Sequence, residues 1–282
     1  MSGHAPNVGD ALKAARALGV ERLDAQLLMA HLLGQSRAWL LAHEDASLDD
    51  AQDAAFQALA ARRAAGEPFA YLVGEREFHG LALRVDPSVL VPRPDTETLV
   101  DWALRLLEGP LRAAGRPAVL DLGTGSGAIA LALKHACPRA DVWAGERSAG
   151  ALAVARDNAR RLGLDVRFAQ GDWWAALDGV DGVPAFDLVV SNPPYIAADD
   201  PHLAALTHEP LSALVADDDG LADIVRIAAQ APPRMRAGGW LLIEHGWQQG
   251  EAVRAILARA GFDEVGTAPD IEGRARCTGG RL

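Results

Sequence analysis

The chain has 282 residues, half of them hydrophobic and 23% charged, which is room for one large domain or a medium one with a small companion and excludes extended disorder. Acidic side chains exceed basic ones throughout, 10 against 6 over residues 1–75 and 28 against 21 over the rest, for a formal net charge of −11, so neither part offers the positive face that grips bare phosphates, and a protein or small-molecule partner fits better. Two cysteines without CxxC spacing, no basic-then-apolar leader and no apolar run of about 18 residues argue against a zinc or disulfide framework, secretion and a membrane span; the expected compartment is the cytoplasm.

Residues 8–66 read as helical. Pro is absent from Val8 to Glu67, and Leu23, Leu27, Leu28 and Leu32 follow helical spacing. Gly19 and Gly34 mark helix ends, and Ser47 is the expected N-cap of the next helix. The segment is expected to be a bundle of four or five short helices. His31 and His43 lack partners at metal-ligand spacing and read as surface or packing residues. From Pro68 the texture changes. Residues 75–85 alternate around Gly80 as a β-hairpin, expected to join two domains, and Pro87 to Pro94 is too proline-rich for a central strand. These signals divide the chain into a helical domain (1–74), a hairpin linker (75–91) and a larger domain (92–282).

A helix is expected from Thr96 to about Leu107. After Pro117 strands and helices alternate: strand Ala118–Leu122, helix Ala128–Ala136, strand Asp141–Gly145, helix Ala149–Leu162, then strands Val166–Phe168 and Phe186–Val190. A helix Leu221–Arg236, a strand Trp240–Glu244, a helix Gln249–Ala260 and two strands near Glu264 and Arg276 complete the series. Such alternation implies a mostly parallel sheet with helices on both faces, and a ligand beyond the carboxyl ends of the strands.

Two loops carry chemistry. Asp121-Leu-Gly-Thr-Gly-Ser-Gly127 joins the first strand of this series to its helix. Its glycines, Gly123, Gly125 and Gly127, let the backbone turn and approach a ligand, with Thr124 and Ser126 between them. The spacing is G-x-G-x-G rather than the dinucleotide G-x-G-x-x-G, Asp121 precedes it, and Glu146 ends the next strand where a carboxylate can accept two ribose hydroxyls. Two acids suit a cationic cofactor without a pyrophosphate, as S-adenosylmethionine is; a tight turn that binds nothing uses the same glycines. Asp172 is a candidate acceptor for an adenine amino group, and Trp173 is either its stacking partner or a packing residue. The second loop, Ser191-Asn-Pro-Pro-Tyr-Ile196, follows the strand Phe186–Val190 and must turn. The Asn192 side chain and the Pro193 carbonyl can accept both hydrogens of one NH2 group, Pro194 completes the turn, and Tyr195 offers a flat face. Fixed acceptors draw an amide NH2 out of conjugation and stabilise positive charge developing on nitrogen.

Together these residues resemble the bacterial PrmC (HemK) family of release factor glutamine methyltransferases. The resemblance runs over nearly the whole chain and adds Val91-Pro-Arg-Pro-Asp-Thr-Glu97, Glu209-Pro-Leu-Ser-Ala-Leu214 and Asp270-Ile-Glu-Gly-Arg-Ala-Arg276. It implies a Rossmann-like class I methyltransferase sheet of seven mostly parallel strands behind an N-terminal helical domain that recognises substrate. It implies S-adenosyl-L-methionine held by the glycine loop, the acid after the second strand, Asp172, Trp173 and Asn192. It also implies transfer of a methyl group to the glutamine of the Gly-Gly-Gln loop in class 1 peptide release factors. One departure is Glu146, where the family usually carries Asp. The rival readings are a glutamine methyltransferase of a large-subunit ribosomal protein, a nucleic-acid amino-methyltransferase, disfavoured by the acidic balance, and a non-catalytic cofactor module, disfavoured by the intact Asn192–Tyr195 turn.

Overall fold

A computed structural model describes residues 6–282, so the first five residues of the expected domain 1–74 lie outside the described residues. The chain divides into two compact units, Met1–Glu75 and Arg76–Leu282. The first contains helices α1 (Val8–Ala17), α2 (Arg22–Leu33), α3 (Arg37–Ala42), α4 (Asp50–Ala64) and α5 (Phe69–Val73). Their ends are set locally. Asn7 and Ser36 accept from the backbone of Asp10 and Trp39, and Gly34 stops α2 with φ +62°. The cap of α4 is Asp49, not the expected Ser47: Asp49 and Gln52 form a reciprocal capping box, while Ser47 sits in an isolated bridge with Asn7. The buried stripe of α2 also differs from the leucine reading. Ala25, Leu28 and Met29 face the core with Val8, Leu40 and Phe56, whereas Leu23 is exposed.

The second unit opens with the hairpin β1 (Glu75–Phe78) and β2 (Leu81–Arg84), turned by His79 and Gly80 at φ +48° and +80°. Phe78, Leu81 and Leu83 are buried with Leu99, Val100 and Leu107, so the hairpin packs into the core of this unit. Next come α6 (Glu97–Glu108), β3 (Ala118–Leu122), α7 (Ala128–Ala136), β4 (Asp141–Glu146), α8 (Ala149–Leu162), β5 (Arg167–Gln170) and β6 (Phe186–Ser191). A single turn, α9 (Asp217–Gly220), precedes α10 (Ala222–Gln230), β7 (Met235–Glu244), α11 (Gly250–Arg259), β8 (Asp263–Pro269) and β9 (Ala275–Arg281). The helix expected over Leu221–Arg236 is therefore shorter. Pro232 and Pro233 follow it in a 3-10 turn, and the chain is already β-structured from Met235.

Seven strands form one sheet in the order β5-β4-β3-β6-β7-β9-β8, parallel except where β9 pairs with β7 and β8. Strand side chains alternate between two cores. Val119, Leu188, Val190 and Leu242 pack with α6 and α7, whereas Leu120, Val189, Leu241 and Ile243 pack with Trp174, Ile227 and Val253. The chain winds from β3 toward β5 in one direction and from β6 toward β8 in the other, so a crevice opens at the carboxyl ends of β3 and β6. No helix among the described residues is long and apolar enough to cross a membrane.

Candidate active site

Gly123 N–H and Thr124 N–H both donate to the Gly145 carbonyl, at 2.9 and 3.0 Å, so the glycine loop is tied across the end of β4. Gly123 has φ +74°, and a Cβ there would meet the Trp173 ring at 2.9 Å. Gly125 has φ +57°, and a Cβ there would meet nothing within 4 Å. One glycine thus admits an aromatic ring while the other borders open space. Asp121 lies behind the loop, fully buried. Its Oδ2 accepts from Thr124 Oγ1 at 2.5 Å and from Ala130 N–H at 3.2 Å, and its Oδ1 has no partner among the described residues. Burial pushes its carboxyl up to about 7, against the pull of those two donors.

Glu146 ends β4, nearly buried. Its Oε2 accepts from Gly125 N–H at 3.0 Å and its Oε1 from Ser148 N–H at 2.8 Å. The longer side chain in place of Asp therefore links the glycine loop to the start of α8. Asp172 follows β5 and pairs with Arg226 at 2.5 Å. Trp173 holds φ +50°, and its indole N–H donates to Asp223 at 2.9 Å, which fixes the ring against Gly123.

The Asn-Pro-Pro-Tyr turn leaves β6. Ser191 Oγ donates to the Leu122 carbonyl at 2.7 Å, locking β6 to β3 just before it. Asn192 Nδ2 donates to Thr96 Oγ1 at 3.2 Å, and neither Asn192 Oδ1 nor the Pro193 carbonyl has a protein donor among the described residues. Tyr195 O–H donates to Glu244 Oε1 at 3.3 Å. The Tyr195 carbonyl accepts from Gln249 Nε2 at 3.1 Å and lies where a Cβ on Gly220 would be, 2.1 Å away. Glu244, at the end of β7, is 1% exposed, and burial pushes its carboxyl up to about 7. Arg276 pulls it down from a position where it also pairs with Asp95 at 3.0 Å and Asp270 at 3.1 Å. The buried Glu209 accepts from Val91 N–H at 3.1 Å and pairs with Arg93, which joins two of the segments quoted for the family resemblance.

Two cavities meet at this crevice. One is lined by Gly123, Thr124, Gly125, Ser126, Glu146, Asp172, Trp173 and Pro194. The other is lined by Pro193, Tyr195, Asp95 and Ile196. Asn192 lines both. Asp121 and Gly127 line neither: the first braces the loop, and the second begins α7 with φ +86°. Glu244 and Gln249 had no role in the sequence reading, while Thr96 and Arg276 entered it only as members of the segments quoted for the family resemblance. The one visible signal was an acid closing the apolar strand Trp240–Glu244, which ends beside the turn after β6.

Residues 8–74 match the family model described as PrmC N-terminal domain, and residues 96–213 match the Methyltransferase small domain. A release factor glutamine methyltransferase of Bordetella pertussis is 54% identical over 94% of this chain and 96% of its own. Enzymes with the same name from Burkholderia pseudomallei and Escherichia coli are 49% and 45% identical, over 98% and 96% of this chain and the same shares of theirs. Among solved structures, a methyltransferase of Pyrococcus furiosus superimposes with TM-score 0.51 at 20% identity, covering 72% of this chain and 88% of that one. The T. Thermophilus 16S rRNA N2 G1207 methyltransferase in complex with AdoMet and guanosine gives TM-score 0.51 at 20% identity, over 73% of this chain and 49% of that one. These two share its fold.

Proposed function

The chain belongs to the release factor glutamine methyltransferases, and on that premise we propose that it methylates the side-chain nitrogen of the glutamine in the Gly-Gly-Gln loop of a class 1 peptide release factor, using S-adenosylmethionine. The names of its relatives favour a release factor over a ribosomal protein as the source of that glutamine. The observation that carries the reading is the pair of unused acceptors, Asn192 Oδ1 and the Pro193 carbonyl, at the junction of two cavities.

The residues of the first cavity fit the cofactor. Gly125 borders the open space a ligand needs, Glu146 presents a nearly buried carboxylate there, and Trp173 gives an aromatic wall. Glu146 would hold the ribose hydroxyls, Asp172 and Trp173 the adenine, and the loop Gly123–Gly127, braced by Asp121, the remainder. Bound there, S-adenosylmethionine supplies a methyl group on a positively charged sulfur.

The target glutamine enters the second cavity, with its amide plane against Tyr195. Asn192 and Pro193 accept its two N–H groups and hold the nitrogen lone pair away from its own carbonyl. With the cofactor held by Glu146, Trp173 and the loop Gly123–Gly127, the glutamine nitrogen would take its methyl group, and the N–H proton it gives up would pass to solvent water. Positive charge develops on that nitrogen, so both acceptors bind it more strongly in the transition state than in the ground state. Pro194 restricts the backbone of the turn, which limits the reorganisation needed. Flanking glycines in the substrate leave room for entry past Tyr195.

The helical unit, with its own core, is the proposed recognition domain for the folded release factor (residues 1–74), followed by the hairpin and the methyltransferase domain to 282. Acidic balance supports a protein substrate without direct nucleic-acid or membrane contact, and release factors as substrates support a reaction in the cytoplasm. Incubation with labelled S-adenosylmethionine and, separately, a purified release factor, a ribosomal protein and DNA tests this. Mass spectrometry should find one added methyl on the Gly-Gly-Gln glutamine; label only on the other two substrates refutes it.

A further inference from the structure

The loop that follows β7 reaches back to the Asn-Pro-Pro-Tyr turn through one side chain. Gln249 stands just before α11, half-buried. Its Oε1 accepts from Gly246 N–H at 2.9 Å, and its Nε2 donates to the Tyr195 carbonyl at 3.1 Å and to the Asp219 carbonyl at 2.9 Å. An amide has one accepting end and one end with two hydrogens to donate, so only this orientation satisfies all these partners. Turned over, its oxygen would oppose two carbonyls and its NH2 would oppose an N–H.

The segments tied together in this way come from separate loops. Tyr195 ends the turn after β6, and its hydroxyl donates to Glu244 Oε1 at 3.3 Å, so the residue is held at its ring tip and at its backbone. Asp218 and Asp219 of α9 have φ +56° and +52°, a conformation L side chains rarely adopt, and the bond from Gln249 to Asp219 fastens it. Gly220 follows directly and lies against the turn. A Cβ there would overlap the Tyr195 carbonyl oxygen and stand 2.9 Å from Gln249 Nε2. The Tyr195 carbonyl therefore sits between Gln249 and Gly220. The chain on either side has its own anchors. Ser191 Oγ bonds to the Leu122 carbonyl, and Ile196 exchanges backbone bonds with Leu214 and Ala216 at 3.0 and 3.1 Å. Loss of Gln249 should thus leave the path of the turn in place and release the peptide that follows the Tyr195 ring.

We propose that Gln249 is a positioning residue for methyl transfer: by holding the Tyr195 carbonyl against Gly220 it fixes the ring that walls the second cavity, and with it the plane in which a glutamine amide meets Asn192 and Pro193. The inference rests on the proposed methylation of a glutamine amide. Gln249 lines neither cavity, so cofactor binding should not depend on it.

The test uses the full-length protein with S-adenosylmethionine and a purified release factor, with turnover counted per cofactor-binding site measured by calorimetry. Gln249→Met keeps the length and removes the bonds. It should lower kcat/KM by about 10- to 100-fold, the scale of a small misplacement of a positioning group, with the Kd for S-adenosylmethionine unchanged. Gln249→Glu supplies the sharper readout. Its carboxylate would oppose two carbonyls, which favours the neutral form, and on protonation its O–H can again donate to one of them. Its kcat/KM relative to wild type should rise by about fivefold or more from about pH 8.5 to about pH 6, while the same ratio for Gln249→Met stays flat within about twofold. Tyr195, the three aspartates of α9, Glu244, His245, Glu251 and Arg254 are the titratable or charged groups on the surrounding elements, and dividing by wild type removes their own titration. The positioning role is overturned by wild-type kcat/KM in Gln249→Met, by a flat ratio in Gln249→Glu, or by a cofactor Kd that weakens in step with turnover. If one variant does not fold, the other decides. Wild-type turnover on the release factor is the control. Its absence overturns the substrate reading and this inference with it, whereas wild-type turnover beside an undiminished Gln249→Met overturns the positioning role alone.

Discussion

Replacing Glu146 with Ala removes two contacts at once, and their lengths set the expected loss. The carboxylate accepts from Gly125 N–H at 3.0 Å and from Ser148 N–H at 2.8 Å, and the residue is 9% exposed. A hydrogen bond to a charged group contributes about 1.5–3 kcal/mol. The side chain borders a cavity, so water replaces part of each contact in the Ala variant, and a net loss of about 2 kcal/mol is expected for the unliganded protein. For a unit the size of residues 76–282 that lowers Tm by roughly 4–8 °C. Cofactor binding loses a further ~1–3 kcal/mol for the missing ribose acceptor, or about 5- to 150-fold in Kd. Glu146→Asp separates the two jobs. One CH2 shorter, it still reaches Ser148 N–H two residues on, but it cannot span to Gly125 as well. Its Kd should therefore rise by less than about tenfold while much of the Tm loss remains. Isothermal calorimetry and thermal unfolding read both quantities. An Ala variant with wild-type affinity would exclude Glu146 from the cofactor site, and one with wild-type Tm would exclude its role in holding the loop.

Asn192→Ala should lower kcat on the order of a hundredfold and leave the Kd for S-adenosylmethionine unchanged, because its acceptor is used on the substrate nitrogen; normal turnover refutes this. Gly125→Val should abolish cofactor binding in calorimetry, since a branched side chain at φ +57° is strained and projects into the open space of the cavity, and unchanged affinity refutes it. Asp121 predicts a pH effect. Its carboxyl titrates near 7 in the folded protein against about 4 when unfolded, so the folded state binds the extra proton and stability falls as pH rises between those values. Asp121→Asn should remove up to about 1.4 kcal/mol per pH unit of that slope, measured by urea unfolding at pH 5 and 7.5; an unchanged slope would assign the effect elsewhere, Glu244 being the other group titrating near 7.

What was legible in the sequence was local. Gly127 and Cys137 frame α7, Ser148 and Gly163 frame α8, and both helices match the expected bounds because caps and turns within a few residues set them. The same local rule explains a miss. Ser47 and Asp49 are both good capping residues, and only Asp49 has Gln52 at the third following position to complete the box. The overlong helix Leu221–Arg236 came from reading composition across Pro232 and Pro233. The site was legible where its residues share a loop, as in Gly123–Gly127 and Asn192–Tyr195. It was not legible where contacts join Thr96 to Asn192 and Tyr195 to Glu244, because no spacing rule connects positions 96, 195 and 244; only the sheet order brings them together.

The position of β9 bears on how the protein assembles. It lies between β7 and β8, so β7 presents an open edge on that side until residues 275–281 arrive. Glu244 stands opposite Cys277 in that pairing, and Arg276 comes in with the same strand to meet Asp95 and Asp270. The site's buried carboxylate is therefore born at a bare sheet margin, and the last strand to zip delivers both its cover and its counter-charge. Non-local pairing of this kind is slow to form, and an unpaired strand edge invites other chains while it waits. A nascent protein held before β9 is complete would carry an intact Asn-Pro-Pro-Tyr loop on an unfinished sheet, prone to aggregation and unable to turn over substrate.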